Sequence, residues 1–164
     1  MIRSAQVSDA AQLCTIYNHY VRSTSISFEE ADVSPDEMGH RIEEGSRLLP
    51  WYVFEKNGAV LGYSYATPWK VRSAYRYSVE SSVYVSVDHG KQGIGSALYQ
   101  RLVDDLRERG VHIVLGGIAL PNQASIALHQ RMGFVQVAQL REVGRKFDRW
   151  VDVGYWQLML SSAD

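Results

Sequence analysis

The segment Lys91-Gln92-Gly93-Ile94-Gly95-Ser96 combines residue types that let a backbone come close to an anion. Gly93 and Gly95 carry no Cβ, so a phosphate can approach the main chain closely. The residues that follow place Ile94, Leu98, Leu102 and Leu106 on one stripe, which predicts a helix over about 92–108 with Gly110 as its stop. The first amides of a helix have no internal partners, and its dipole places about +0.5 charge there. The result is a site for a phosphate or pyrophosphate. A tightly packed turn is the alternative reading of Gly-x-Gly alone. Two phosphate loops fail on spacing: no Gly-Lys-Ser/Thr follows, and Leu98 stands where a dinucleotide fingerprint needs glycine.

A second candidate lies downstream, from Pro121 to Phe134. On a helix over 122–132, Asn122, Ser125 and His129 share one face. Asn122 also reads as an N-cap, and His129 by itself as a structural histidine. On the strand expected over 77–87, alternation puts Glu80, Ser82 and Tyr84 opposite Val79, Val83 and Val85. Taken alone, Glu80 is a solvated edge charge. Lys70, Arg72 and Tyr75 are two cations and a phenol within six residues, suited to a carboxylate or phosphinate, or else a solvated loop.

These residues need elements to position them. A short strand is expected at 2–6, then a helix capped by Ser8 or Asp9 with Leu13, Ile16, Tyr17 and Tyr20 at helical spacing. Ser34-Pro35-Asp36-Glu37 starts a second helix that runs to about Gly45. Strands 51–55 and 60–65 flank the hairpin signal Asn57-Gly58. A strand at 111–115 and two terminal strands near 134–142 and 150–160 complete a β-α-α-β-β-β-α-β-α-β-β order. That order predicts a mixed α/β domain around one sheet, a single unit over 1–164.

Composition excludes several classes. Seventeen basic residues against eighteen acidic ones give a net charge of −1, which argues against a nucleic-acid surface. Cys14 is the sole cysteine, so neither a disulfide framework nor a thiolate metal cluster is expected, and it reads as a buried thiol. The five histidines show no ligand spacing of the H-E-x-x-H kind, so no metal is expected. No signal-type stretch and no run of roughly 18 apolar residues occurs, which predicts a cytoplasmic protein away from membranes.

Gly93-x-Gly95, Asn122 with Ser125, and the Gly133-Phe134 ending together resemble the acetyl-CoA pattern of the GNAT N-acetyltransferase superfamily, and Ile2-Arg3-x-Ala5 resembles its usual opening. Tyr17-Asn18-His19-Tyr20, Pro68-Trp69-Lys70-Val71-Arg72, Val79-Glu80-Ser81-Ser82 and Gly154-Tyr155-Trp156-Gln157 narrow the likeness to its phosphinothricin and methionine sulfoximine acetyltransferase branch. The resemblance covers nearly the whole chain. It implies the GNAT acyltransferase fold, a mixed and mostly antiparallel sheet flanked by helices.

The resemblance also implies direct transfer of an acetyl group from acetyl-CoA to the amine of a small amino acid. Val83, Tyr84, Val85, the segment Lys91 to Ser96, Asn122 and Ser125 would hold the donor. Glu80 would be the base, and Phe28, Lys70, Arg72, Tyr75 and Tyr84 would bind the acceptor. A homodimer is implied as well. Gly90 stands where the superfamily usually has Gln or Arg, so the grip on phosphate should rest on backbone amides. As in the phosphinothricin branch, His129 stands where the superfamily commonly has a tyrosine acid for the departing thiolate, so Glu80 and His129 are the implied catalytic residues. Rival readings are a same-fold enzyme for polyamines, peptide N-termini or antibiotics, and a non-catalytic acyl-CoA sensor. The Lys70/Arg72 pair disfavours a polycation, and Glu80 with that pair disfavours the sensor.

Overall fold

The computed structural model describes residues 1–160, so the last four residues of the expected domain lie outside the described range. The elements follow the expected order: β1 (Ile2–Ser4), α1 (Ala10–Ser23), α2 (Pro35–Ser46), β2 (Trp51–Lys56), β3 (Ala59–Pro68), β4 (Ser78–Val85), α3 (Ile94–Glu108), β5 (Ile113–Ala119), α4 (Gln123–Arg131), β6 (Val135–Lys146) and β7 (Arg149–Met159). The strands form one sheet in the order β1-β2-β3-β4-β5-β7-β6. Every neighbouring pair is antiparallel except β4 with β5.

Strand alternation, shifted by one residue at the β2–β3 bulge where Phe54 pairs with Gly62 and Glu55 with Val60, divides the core between the two faces. Val60 and Tyr63 pack with Leu13, Ile16, Met38 and Ile42 under α1 and α2. Leu61, Val79, Val114 and Trp156 pack with Leu98, Leu102 and Leu106 under α3. Cys14 is buried on the α1 face, and burial raises its thiol pKa. Asn57 and Gly58 turn the β2–β3 hairpin with φ of 52° and 80°, the left-handed pair such a turn requires.

Three local expectations change. Neither Ser8 nor Asp9 caps α1: Asp9 accepts two bonds from the Arg3 guanidinium, at 2.9 and 2.8 Å, and a third from the Gln6 amide at 2.8 Å. A cationic partner outcompetes helix amides for this carboxylate. Gly45 does not stop α2, which continues through Ser46. A Cβ at Gly45 would lie 2.5 Å from Trp51 Nε1, so the glycine makes room for an indole. β5 spans 113–119 rather than 111–115, and β6 extends to Lys146. Ser34 does cap α2, accepting from the Glu37 amide at 3.1 Å.

Asp9 is 4% exposed and its carboxylate pKa is lowered, mainly by the Arg3 hydrogen bonds. Arg3 also holds Glu55 at 2.7 Å, which ties β1 to β2 and to the start of α1. Asp9→Asn should lower unfolding free energy by about 1–2 kcal/mol at pH 7, read by urea denaturation. A carboxylate with a depressed native pKa stabilises above its unfolded value of about 3.9, and that contribution fades as pH falls through the native value. The difference between the two proteins should therefore close in acid.

Candidate active site

β4 and β5 run parallel and pair over only three positions, Ser78↔Ile113, Val79↔Val114 and Glu80↔Leu115. Beyond Glu80, β4 stays on β3 as far as Gly62↔Val85, while β5 stays on β7 as far as Ala119↔Val153. The two strands part, and residues 81–85 lose their strand partner on one side. The Ser86 amide donates to the Leu61 carbonyl at 2.8 Å. Strand alternation then turns the backbone groups of Ser82 and Tyr84 toward β3, and those of Val83 and Val85 into the opening. The Val85 carbonyl already accepts from the Tyr20 hydroxyl at 2.5 Å.

A cleft of about 690 Å³ runs from this opening along the first turn of α3 and the flank of α4. Val83, Tyr84, Val85, Asn122 and Ser125 line it, as does the segment 91–96 except Gln92. Gly93 begins α3 with φ of 78°, and Lys91 before it has φ of 62°. This left-handed turn aims the first amides of α3 into the cleft. Gly95 works differently: a Cβ there would touch Leu128 and Val85 at 3.5 and 3.6 Å, so its missing side chain widens the space between α3 and α4. Asn122 caps α4, its side chain accepting from the Ser125 amide at 3.1 Å.

His129 lies beneath this cleft, 4% exposed. Its Nδ1 is 2.7 Å from the Ser125 carbonyl, so that nitrogen carries the proton. Nε2 is therefore an acceptor, and the Tyr99 hydroxyl donates to it at 2.9 Å. Tyr99 in turn meets the Ser81 hydroxyl in a short contact. Burial lowers the His129 pKa, which keeps the ring neutral within this buried chain. Gly116 gives it room, since a Cβ there would lie 2.5 Å from Nε2.

A second cleft, of about 460 Å³, opens on the other face of the sheet. Phe28, Glu80 and Tyr84 line it with Tyr17, Ser82 and Tyr155. No described residue donates a hydrogen bond to the Glu80 carboxylate. Burial raises its pKa, and the charge of Lys70 works against that rise. A Cβ at Gly117 would lie 3.2 Å from Glu80 Oε1 and 3.1 Å from the Tyr155 ring. The Lys70 ammonium sits 4.9 Å over the Trp69 ring, whose edge contacts Tyr155 at 5.5 Å. Lys70, Arg72 and Tyr75 are all exposed and none of the three lines this cleft.

A pocket of about 50 Å³ at the fork joins the two clefts. It shares Val83, Asn122 and Ser125 with the first, and Ser82, Gly117 and Ala119 with the second. Ile26 and Tyr84 border all three. Two molecules entering from opposite faces would meet at the Glu80 end of the parted strands.

Residues 2–154 match the family described as acetyltransferase (GNAT) domain. The chain belongs to the GNAT acetyltransferase family. It is an acetyl-CoA-dependent N-acetyltransferase. A phosphinothricin N-acetyltransferase of Streptomyces viridochromogenes is 40% identical over 156 residues, covering 95% of this chain and 85% of its own. An L-methionine sulfoximine/L-methionine sulfone acetyltransferase of Salmonella typhimurium is 40% identical over 163 residues, covering 97% and 94%. The crystal structure of a GNAT superfamily phosphinothricin acetyltransferase from Sinorhizobium meliloti, in complex with AcCoA, superposes with a TM-score of 0.94 at 32% identity, covering 98% of this chain and 88% of that one.

Several residues of this acetyltransferase's clefts escape sequence reasoning. Gly116-Gly117 carried a usable signal, because glycines inside a strand mark a close approach. Here the approach comes from both faces, His129 on one and Glu80 with Tyr155 on the other. Ile26, Tyr17 and Tyr155 carried none, being ordinary apolar or aromatic positions. No group of three or more His, Cys, Asp or Glu able to hold a metal occurs among the described residues. Gly116→Ala should lower the thermal midpoint and cost about 1–3 kcal/mol, because the His129 ring has no free direction to move. Calorimetry on the purified variant checks this.

Proposed function

We propose that this enzyme transfers the acetyl group of acetyl-CoA directly to the α-amino group of a small amino acid or analogue of the phosphinothricin and methionine sulfoximine or sulfone kind. One observation carries the reading: two clefts on opposite faces of the sheet meet at the β4–β5 fork, with Glu80 on the acceptor side.

The residues present fit acetyl-CoA. The edge at Val83 and Val85, without a strand partner and with only the Val85 carbonyl engaged, by Tyr20, suits the amides of a pantetheine arm, which would add like a strand. The turn at Lys91 and Gly93 offers amides of α3 to the pyrophosphate, and Asn122 and Ser125 border the same cleft. When bound, acetyl-CoA supplies an activated thioester carbonyl. The chain supplies the rest. An ammonium has no lone pair, so Glu80 takes a proton from the acceptor, directly or through a water, and leaves the nitrogen free to attack. Its raised pKa makes it a better base than an exposed carboxylate. A backbone amide of the open β4 edge would polarise the carbonyl oxygen; as the C–N bond forms the C–S bond breaks, and CoA leaves as a thiolate that solvent can protonate. His129, neutral and bonded at both nitrogens, serves as a positioning residue that seats α4 against β5. Lys70 provides the cation for the acceptor's acidic end, while Arg72 and Tyr75 meet the acceptor as it enters.

The same reading extends to the enzyme's setting. A single domain over 1–164 acts in the cytoplasm and detoxifies such analogues. Among the described residues no helix is long and apolar enough to cross a membrane. The net charge of −1 favours small-molecule over nucleic-acid partners. A homodimer is supported by exposed Val135, Val137, Leu140, Val143 and Trp150 on edge strand β6 and its neighbour β7.

Thiol release from acetyl-CoA should follow addition of phosphinothricin, methionine sulfoximine or methionine sulfone, and not of spermidine. Binding of acetyl-CoA without turnover of any amine would replace the enzyme reading with a sensor. In the unaltered enzyme, kcat/KM should fall as pH drops through a midpoint above the ordinary glutamate value of about 4.3. Glu80→Gln should lose about 10²–10⁴ in kcat/KM together with that acidic limb. Full activity of this variant across the pH range would remove Glu80 as the base.

A further inference from the structure

Lys146 is 2% exposed, which is rare for a lysine. Among the described residues no carboxylate lies within ion-pair distance of it. Its ammonium instead donates to the carbonyls of Thr24 at 2.8 Å and Ser27 at 2.7 Å, and the Phe147 ring lies 5.1 Å away. Burial lowers its pKa, while Glu29 and Glu30 act on it through space in the opposite sense. An apolar side chain at the end of β6 would fill the same volume without desolvating a charge. The charge therefore needs a reason, and the segment it holds supplies one.

That segment follows α1 and carries Ile26, Ser27 and Phe28. Ile26 borders both clefts and the pocket between them, and Ser27 and Phe28 line the acceptor side. Ser27 is held from two directions: its carbonyl by Lys146, its hydroxyl by Tyr17 at 2.8 Å. Phe28 rests on Gly144, two residues before Lys146, where a Cβ would lie 2.3 Å from the ring. One face of β6 thus fixes the segment twice, by a buried ammonium and by an absent side chain.

We infer that Lys146 is a positioning residue for the acceptor: by clamping the carbonyls of Thr24 and Ser27, it holds Ile26 and Phe28 at the junction the amine must reach. It touches neither substrate. The inference rests on the assignment of the second cleft to the acceptor, and the test separates the two.

Lys146→Met should raise the acceptor KM by about tenfold or more, as expected for removing charge-assisted hydrogen bonds, and leave the acetyl-CoA KM within about twofold. Lys146→Arg, which keeps charge and donors, should recover part of the loss. Amide hydrogen exchange at 24–28 should quicken by about tenfold in Lys146→Met while α3 keeps its protection. Should the methionine variant not fold, Lys146→Gln, with one donor, is read in the same way. An unchanged acceptor KM, or an equal rise in both KM values, overturns the inference. So does unchanged exchange at 24–28, whatever the acceptor proves to be. Failure of the acceptor reading shows separately, as absence of turnover in the unaltered enzyme.

Discussion

Two neighbouring strands that part in the middle of a sheet leave backbone donors and acceptors facing each other across a gap too wide to bridge. Such groups are costly to bury and rarely left unmet. In this protein the gap follows Glu80 and Leu115, and most features of the site answer to it. The opened edge of β4 faces the first turn of α3 and the capped start of α4, so the free edge and the α3 amides converge on one cleft. The same gap lets the two faces of the sheet communicate, which a continuously paired sheet would forbid.

Gly116 and Gly117 make the fork chemically asymmetric. With no side chains there, β5 becomes thin enough for His129 to lie against one face and for Glu80 and Tyr155 to lie against the other. Beneath the helix-side cleft the Ser125 carbonyl, His129, Tyr99 and Ser81 satisfy one another in a buried, neutral chain. On the other face the Glu80 carboxylate lines the second cleft with no hydrogen-bond donor among the described residues. A satisfied neutral network costs little to bury, whereas an unpartnered carboxylate is destabilised as an anion and gains basicity. The division is the physical basis for proposing Glu80 as the base and His129 as a positioning residue.

Much of this arrangement is legible in the sequence because it is local. The Asn57-Gly58 hairpin, the Ser34 cap, the α3 stripe ending at Gly110 and the Asn122 cap all follow from short-range rules, and each forms as expected. The alternation of Glu80, Ser82 and Tyr84 likewise places three side chains on one face. What escapes is whatever depends on a distant partner. Asp9 looks like a helix cap until Arg3 claims it. Glycines disfavour strands, so the sequence pattern ends β5 at Leu115, although Gly116 and Gly117 are required by side chains arriving from other elements. Lys146 lies in a strand where lysines usually face water, and its partner Thr24 is 122 residues away. Lys70, Arg72 and Tyr75 mark the opposite case: a motif groups them in sequence, yet all three are exposed and outside the lining of the second cleft.

Amide hydrogen exchange along β4, with and without saturating acetyl-CoA, tests the fork most directly. Val83 and Val85 face the opening, while Ser82 and Tyr84 are already paired to β3. Protection should therefore rise at Val83 and Val85 on binding and stay nearly constant at Ser82 and Tyr84. Bound acetyl-CoA that leaves Val83 and Val85 exchanging as before would contradict the assignment of the open β4 edge to the donor.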